Sequence, residues 1–293
     1  RGMVMIVELI KTVLIGIIQG ITEWLPISST GHMILFNSIW PMELSLENPR
    51  FWGLFLVVIQ FGSILAVVLL YFHKLNPFSR RKSISERRAT WTLWEKVLIA
   101  SLPAAVLGLL LNDWIESKMQ NALVVAIMLI VYGVLFLVME SKKRHAVIRR
   151  LSEIDVKTSL GIGFFQVLAM IPGTSRSGAT ILGASLLGTD RKIASEFSFF
   201  CAIPVMLGAS GLKIFKYVWD GNPIPSGEEM TILLVAMAVS FIVSVFAIRM
   251  LLSYIRRHDF KIFGYYRIIL GVAILLFAYV LAPMMGISIN LNV

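Results

Sequence analysis

The chain has 293 residues, 57% of them hydrophobic and 15% charged, with a mean hydropathy of +0.82; this balance excludes an ordinary water-soluble domain and points to an integral membrane protein. A net charge of +10 would suggest nucleic acid as the partner of a soluble protein, but the placement of the charges argues otherwise. Most of the 27 lysines and arginines fall in 73–96, 140–157, 190–192 and 249–267, stretches that the positive-inside rule makes cytoplasmic.

Residues 3–20 read as a helix that ends near Pro26, and 31–39 as a short second helix before Trp40-Pro41. Neither offers the roughly 20 uninterrupted apolar residues that a crossing needs, so 3–39 is expected to be a re-entrant hairpin. Glu8 and Lys11 interrupt the first run and no small-residue cleavage site follows it, which argues against a removed signal peptide. Between the two arms lies Gln19-Gly20-Ile21-Thr22-Glu23-Trp24-Leu25-Pro26-Ile27-Ser28-Ser29-Thr30-Gly31-His32. Non-helical backbone leaves N–H and C=O groups unpaired, and at membrane depth it survives only inside protein or beside water. A polar, Pro- and Gly-punctuated loop between apolar runs therefore predicts a buried polar site.

Three spans follow near 51–72, 96–113 and 120–140, with Trp91, Trp94 and Trp114 at the expected interfaces. The intervening stretches 41–50 and 113–120 are poor in lysine and arginine and are expected outside. A basic linker, 141–157, then joins a first repeat (1–140) to a second (158–293). The second repeat begins with another expected re-entrant hairpin, 158–188, built around Pro172-Gly173-Thr174-Ser175-Arg176-Ser177-Gly178-Ala179-Thr180. Spans near 194–218, 230–253 and 264–284 complete it, with 219–229 outside.

In both halves a Gln (Gln19, Gln166) precedes a Pro (Pro26, Pro172), a Ser-rich loop and a Gly (Gly31, Gly178), the Pro-to-Gly spacing differing by one residue. An odd number of spans per half gives the halves opposite orientation. The expected fold class is an all-α polytopic membrane protein with an inverted-topology repeat, six transmembrane helices and two re-entrant helical hairpins, and a site near the midplane where the broken helices meet. Ala100-Ser101, Ala104-Ala105 and Gly108, and Ala236 with Ala238, read as close-packing faces. Cys201, the one cysteine, reads as a packing residue.

Ionisable groups at membrane depth cost ~2.5–3.5 kcal/mol even on insertion scales and are functional candidates by default. Glu23, His32 and Arg176 are the clearest, Glu196 a less central fourth. The bland reading makes Glu23 and Arg176 a structural ion pair and His32 a partner for freed backbone. The sharper reading starts from Arg176, which stands among Ser175, Ser177 and Thr180 just before a helix start. A guanidinium fork, hydroxyls and free helix N–H groups together suit a phosphate. The first loop offers Ser28, Ser29, Thr30 and Gly31 at a helix start, with a carboxylate and an imidazole nearby in sequence, the parts of an activated nucleophile and its base.

The stretch Gln19-Gly20-Ile21-Thr22-Glu23, with Ser28-Ser29-Thr30-Gly31-His32, resembles the first signature of the bacterial undecaprenyl-diphosphatase family, also called the bacitracin-resistance family. Pro172 to Thr180 resembles the second, and the similarity continues through Ala194-Ser195-Glu196-Phe197-Ser198-Phe199. The resemblance implies hydrolysis of undecaprenyl diphosphate to the monophosphate on the outer face of the bacterial plasma membrane, recycling the lipid carrier of cell-wall synthesis. It implies that Glu23, Ser29, His32 and Arg176 are catalytic, and that Gln19, Ser28, Thr30, Ser175, Ser177 and Thr180 bind substrate. Gln19 stands where relatives carry Glu or Gln, so Glu23 is the one certain carboxylate of the first motif.

A divalent cation, magnesium or calcium, is implied as a weakly held helper bridging the diphosphate and Glu23, and no organic cofactor is expected. The expected partners are the polyprenyl diphosphate lipid and the bilayer, without nucleic acid; a homodimer is one oligomer compatible with this. Ser29, His32 and water all stay open as the attacking group. The rival reading is a lipid flippase or secondary transporter, a design that also uses inverted repeats and broken helices. It accounts for Arg176 and the hydroxyls but gives Ser29, Glu23 and His32 no joint purpose.

Overall fold

A computed structural model describes residues 2–142, 145–281 and 284. In chain order its α-helices are α1 (Gly2–Thr22), α2 (Ser29–Ile39), α3 (Glu43–Glu47), α4 (Pro49–Val58), α5 (Gln60–Leu70), α6 (Phe72–Leu75), α7 (Ile84–Met119), α8 (Ala122–Ser141), α9 (Val156–Leu168), α10 (Arg176–Leu186), α11 (Arg191–Trp219), α12 (Gly227–Ile255) and α13 (Lys261–Leu276). The only extended pairing among the described residues is the isolated bridge of Ile148 with Thr189. Seven segments are helical, long and apolar enough to cross a membrane. The molecule is an all-α, multi-pass membrane protein.

Three elements differ from the sequence expectation. α1 has 21 residues and, by length and composition, is itself long enough to cross. Its glycines do not break it because they serve contact: a Cβ on Gly16 would lie 2.9 Å from Ala236 O, and one on Gly20 2.8 Å from Ser240 O, both on α12. The span expected at 51–72 is interrupted after Val58, where α4 gives way to α5 at Ile59. The interruption adjoins a very close approach, since a Cβ on Gly62 would collide with Met237 O. α7 runs for 36 residues and absorbs both the end of the basic stretch 73–96 and the connection expected at 113–120. A capping box between Ser83 and Glu86 starts it inside the basic stretch, and Pro103 lies within it without ending it.

Helix partnerships come in exchangeable pairs. α1 packs on α12 and α9 on α7; α5 packs on α12 and α11 on α7; α1 meets α2 and α9 meets α10. α8 and α13 pack on each other, with backbone so close that a Cβ on Gly133 would lie 2.8 Å from Gly264 O. Matching α1 with α9, α2 with α10, α4–α5 with α11, α7 with α12 and α8 with α13 turns each of these partnerships into another of the set. The small residues Ala100 and Ala236 are fully buried, as close packing requires. Ala105, Ala238 and Gly108 depart from that expectation: the two alanines are exposed, and open space lies where a Cβ on Gly108 would be.

The connections also sort into two groups. At one end Lys74 pairs with Glu196 at 2.6 Å, Lys96 donates to Ser152 O at 3.1 Å, and Glu140 accepts from Arg191 and from Phe260 N. The basic stretches thus touch one another. At the other end Arg50 donates to Asn222, Asn48 to Glu229 and Lys216 to Asp113. Lys11, an oddity in the first apolar run, is buried on Glu8 at 2.7 Å and also donates to Pro41 O at 2.7 Å, while Glu8 accepts from Glu43 N. The pair neutralises itself and straps the chain after α2 to α1.

Candidate active site where two serine-capped helices meet

α2 and α10 are each 11 residues long, about 16 Å, too short to cross a hydrocarbon layer of about 30 Å. Each starts from a serine in a backbone region that non-glycine residues rarely occupy: Ser28 has φ 73 and Ser175 φ 70. Each serine oxygen accepts from the amide three residues on, Gly31 N at 3.3 Å and Gly178 N at 3.1 Å. Such backbone costs of order 1–3 kcal/mol per residue and persists only where the surroundings enforce it. Here the loops enforce each other, because Ser177 donates to Leu25 O at 3.1 Å and Arg176 donates to Glu23 at 3.0 Å.

Glu23 is the junction. One carboxylate oxygen, Oε1, accepts from Arg176 Nη2; the other, Oε2, accepts from Gln19 Nε2 at 3.0 Å and from Ser29 Oγ at 3.3 Å. The ion pair is largely withdrawn from solvent, with 6% of the Glu23 side chain and 11% of the Arg176 side chain exposed. Arg176 also donates through Nη1 to Ser198 O at 2.9 Å and lies over the Trp24 ring, 5.4 Å from its centroid. Trp24 is fully buried and meets Phe199 edge-on, ring centroids 5.2 Å apart. This aromatic floor fixes the plane of the guanidinium. The Nε of Arg176 and the Nε1 of Trp24 are buried donors without a protein acceptor among the described residues.

The structure therefore joins Gln19, Glu23, Ser29 and Arg176 in one hydrogen-bonded chain. Ser175, Ser177 and Thr180 close the second loop. Ser175 and Ser177 share a hydrogen bond at 3.2 Å, and Thr180 donates to Arg176 O at 2.8 Å and meets Ser198 Oγ at 2.6 Å. Ser28, Ser177 and Thr180 are buried, so their hydroxyls shape the loops. Thr30 is exposed at the start of α2. His32 turns from Ser29 to other partners: Nδ1 lies 2.7 Å from Ser28 O and Nε2 2.6 Å from Tyr266 OH. Glu196 belongs elsewhere, paired with Lys74 at the basic end.

Two residues of the site escape the sequence reading. Ser198, on α11, presents its carbonyl to Arg176 and its hydroxyl to Thr180. Arg267, on α13, is fully buried and donates to Pro26 O at 3.0 Å in the first loop and to Gly173 O and Thr174 O, each at 2.9 Å, in the second. Longer bonds of 3.4 Å reach Leu129 O and Met128 O on α8, and its guanidinium carbon stands 5.4 Å from the centroid of the Tyr132 ring. The three close acceptors, Pro26 O, Gly173 O and Thr174 O, are carbonyls that the broken backbone frees, and pairing them with a buried donor is how irregular backbone is tolerated inside a membrane protein.

No group of three or more His, Cys, Asp or Glu able to hold a metal ion occurs among the described residues. Both oxygens of Glu23 are already engaged, and its charge is met by Arg176. The residues present do not form a cage for a resident cation.

Fold and site together define a multi-pass helical membrane protein in which a withdrawn Glu23–Arg176 ion pair and the buried Arg267 are gathered where two short, serine-capped helices meet. The chain belongs to the family of the bacitracin resistance protein BacA, whose pattern matches residues 12–273. It is 53% identical over 270 residues to the undecaprenyl-diphosphatase of Latilactobacillus sakei, covering 92% of this chain and 97% of the relative. It is 54% identical over 275 residues to that of Lacticaseibacillus paracasei, covering 93% and 99%, and 53% identical over 267 residues to that of Enterococcus faecalis, covering 90% and 95%. The family expected from the two motifs is the one that nearly the whole chain matches.

Proposed function

We propose that the protein hydrolyses undecaprenyl diphosphate to undecaprenyl phosphate and inorganic phosphate, recycling the lipid carrier of cell-wall polymers and so conferring bacitracin resistance. The reading is supported by relatives named undecaprenyl-diphosphatase at 53% and 54% identity across nearly the whole chain. The observation that carries the chemistry is Glu23 accepting at once from Ser29 Oγ and Arg176 Nη2.

In this reading Ser29 Oγ attacks the terminal phosphorus and gives its proton to Glu23. The Ser29 O–P bond forms as the P–O bond to undecaprenyl phosphate breaks. Water then attacks the phosphoserine, releasing inorganic phosphate and restoring the Ser29 hydroxyl. Arg176 and the amides at the starts of α2 and α10 stabilise charge on the transferring oxygens, and positioning and electrostatics carry most of such catalysis. A magnesium or calcium ion bound to the diphosphate would offset charge on the phosphoryl oxygens, with Glu23 the residue to meet it.

The site opens to the outer face of the plasma membrane, and the halves 1–140 and 158–293 are inverted repeats. The exchangeable helix partnerships and the matched caps at Ser28 and Ser175 support the repeat, and the lysine and arginine distribution supports the orientation. Phosphate release from undecaprenyl diphosphate by purified protein in detergent, where no second compartment exists, tests the activity. Binding of the lipid without release, in protein of proven fold, would favour a transporter instead.

A further inference from the structure

The mechanism above leaves His32 without a stated partner in the reaction, and its two ring nitrogens show why that matters. Nδ1 lies 2.7 Å from Ser28 O. A carbonyl cannot donate, so Nδ1 carries a hydrogen in the neutral ring as well as in the charged one. The lone pair of the neutral ring is therefore on Nε2, and Nε2 faces Tyr266 OH at 2.6 Å. The two rings are stacked, 4° from parallel with centroids 5.6 Å apart. Ser28, whose carbonyl sets the tautomer, is also the strained cap of α2. His32 is thus held from both sides, by the loop and by α13.

We propose that Tyr266 is a positioning residue of the reaction, acting through His32. Its hydroxyl donates to the one basic nitrogen of the ring and keeps the ring plane parallel to its own, so that the imidazole is already oriented when the hydroxyl gives Nε2 up to the substrate. When His32 gains a proton the hydroxyl turns and accepts from Nε2–H, so the pair holds one geometry in both charge states. Tyr266 is also the immediate neighbour of Arg267 in the sequence. Successive residues of α13 thereby hold the imidazole (Tyr266) and the loop carbonyls (Arg267). Ser29, bonded to Glu23, has its proton acceptor independently, which leaves His32 and Tyr266 as a second unit. Like any role for His32, this one rests on the phosphatase reading.

The test is a double-mutant cycle of Tyr266→Phe and His32→Gln, with kcat and KM for undecaprenyl diphosphate measured on purified protein whose fold is verified by thermal unfolding. Phe keeps the ring and removes only the hydroxyl. In the native background Tyr266→Phe should lower kcat by roughly 10-fold or more, within the range of a positioned acid or base, with KM little changed. In the His32→Gln background the same substitution should cost less than about 2-fold, because effects of residues acting as a unit are not additive. Equal losses in both backgrounds, or native kcat in Tyr266→Phe, would overturn the proposal. Native turnover in His32→Gln alone would instead remove His32 from the reaction and leave the phosphatase reading standing on Ser29, Glu23 and Arg176.

Discussion

Ser28 and Ser175 occupy the same backbone region, φ 73 and φ 70, and are the only non-glycine residues with positive φ among the described residues. Each caps a helix of 11 residues by accepting from a glycine amide three positions on. This equivalence resets the internal alignment: matched on the prolines, the two motifs differ by one residue, but matched on the capping serines they agree from serine to glycine. In that register Ser29 stands opposite Arg176, so the two halves use one geometry to present a hydroxyl on one side and a guanidinium on the other.

Because the strain and the cap are separable, Ser28→Gly and Ser28→Ala should differ. Glycine adopts positive φ without penalty and loses only the hydroxyl, whereas alanine loses the cap, typically ~1 kcal/mol, and keeps the strain. Thermal unfolding in detergent should rank native, then Ser28→Gly, then Ser28→Ala, with the same order at Ser175. An alanine variant as stable as the glycine one would mean that the backbone relaxes.

Arg176→Lys should fail nearly as badly as Arg176→Ala. The guanidinium spans Glu23 Oε1 and Ser198 O with two different nitrogens, and an ammonium cannot hold that fork. Turnover should drop by roughly 10²-fold or more if the fork acts on transition-state charge. Near-native kcat in the Lys variant would show that only positive charge is needed.

Ser29→Ala should abolish phosphate release while the fold persists, since among the described residues Ser29 Oγ bonds Glu23 alone, and Ser28→Ala should be milder in activity. His32→Gln should be slow but retain turnover. If His32 attacks instead, Ser29→Ala keeps measurable turnover and a quenched reaction yields an acid-labile, base-stable phosphoprotein. Recovering that species from native and Ser29→Ala protein, and losing it in His32→Gln, would reverse the assignment.

Arg267→Met should destabilise the protein by several kcal/mol, because Pro26, Gly173 and Thr174 carbonyls lose their donor at once and each buried unsatisfied group costs about 1–3 kcal/mol. Lowered midpoint temperature together with impaired turnover is the expected result. A stable, inactive variant would shift the role of Arg267 from architecture to the substrate.

An impermeant thiol reagent should leave Ser83→Cys unlabelled in intact cells and label Asn222→Cys, with little background because Cys201 is buried. The reverse pattern would turn the molecule over in the membrane.

Much of this site is legible in the sequence because its chemistry is concentrated in two short stretches. A polar loop in an apolar run announces itself, and Glu23 and Arg176 stand out as membrane-depth charges. Arg267 and Tyr266 do not, for a physical reason. They follow Arg256, Arg257 and Lys261, so on a charge count Arg267 looks like the end of a basic loop, while its partners Pro26 and Gly173 lie far away in sequence. The length of α7 is obscured for a related reason: Asp113 and Lys118 mark a surface, but a helix can project beyond an apolar layer, and polar residues do not end one. The interruption at Ile59 has no marker at all, since Gly62 reports its approach to Met237 only once α12 is in place.

Every group that Arg267 binds, Pro26, Met128, Leu129, Gly173 and Thr174, precedes it in the chain. Synthesis therefore delivers the fastener last. Until α13 leaves the ribosome, both loops carry carbonyls with no donor, and the nascent chain has the parts of a hydrolase without its geometry. The site is complete only once α13 has been made, and a chain stopped short of α13 would carry an open, polar lesion in the bilayer.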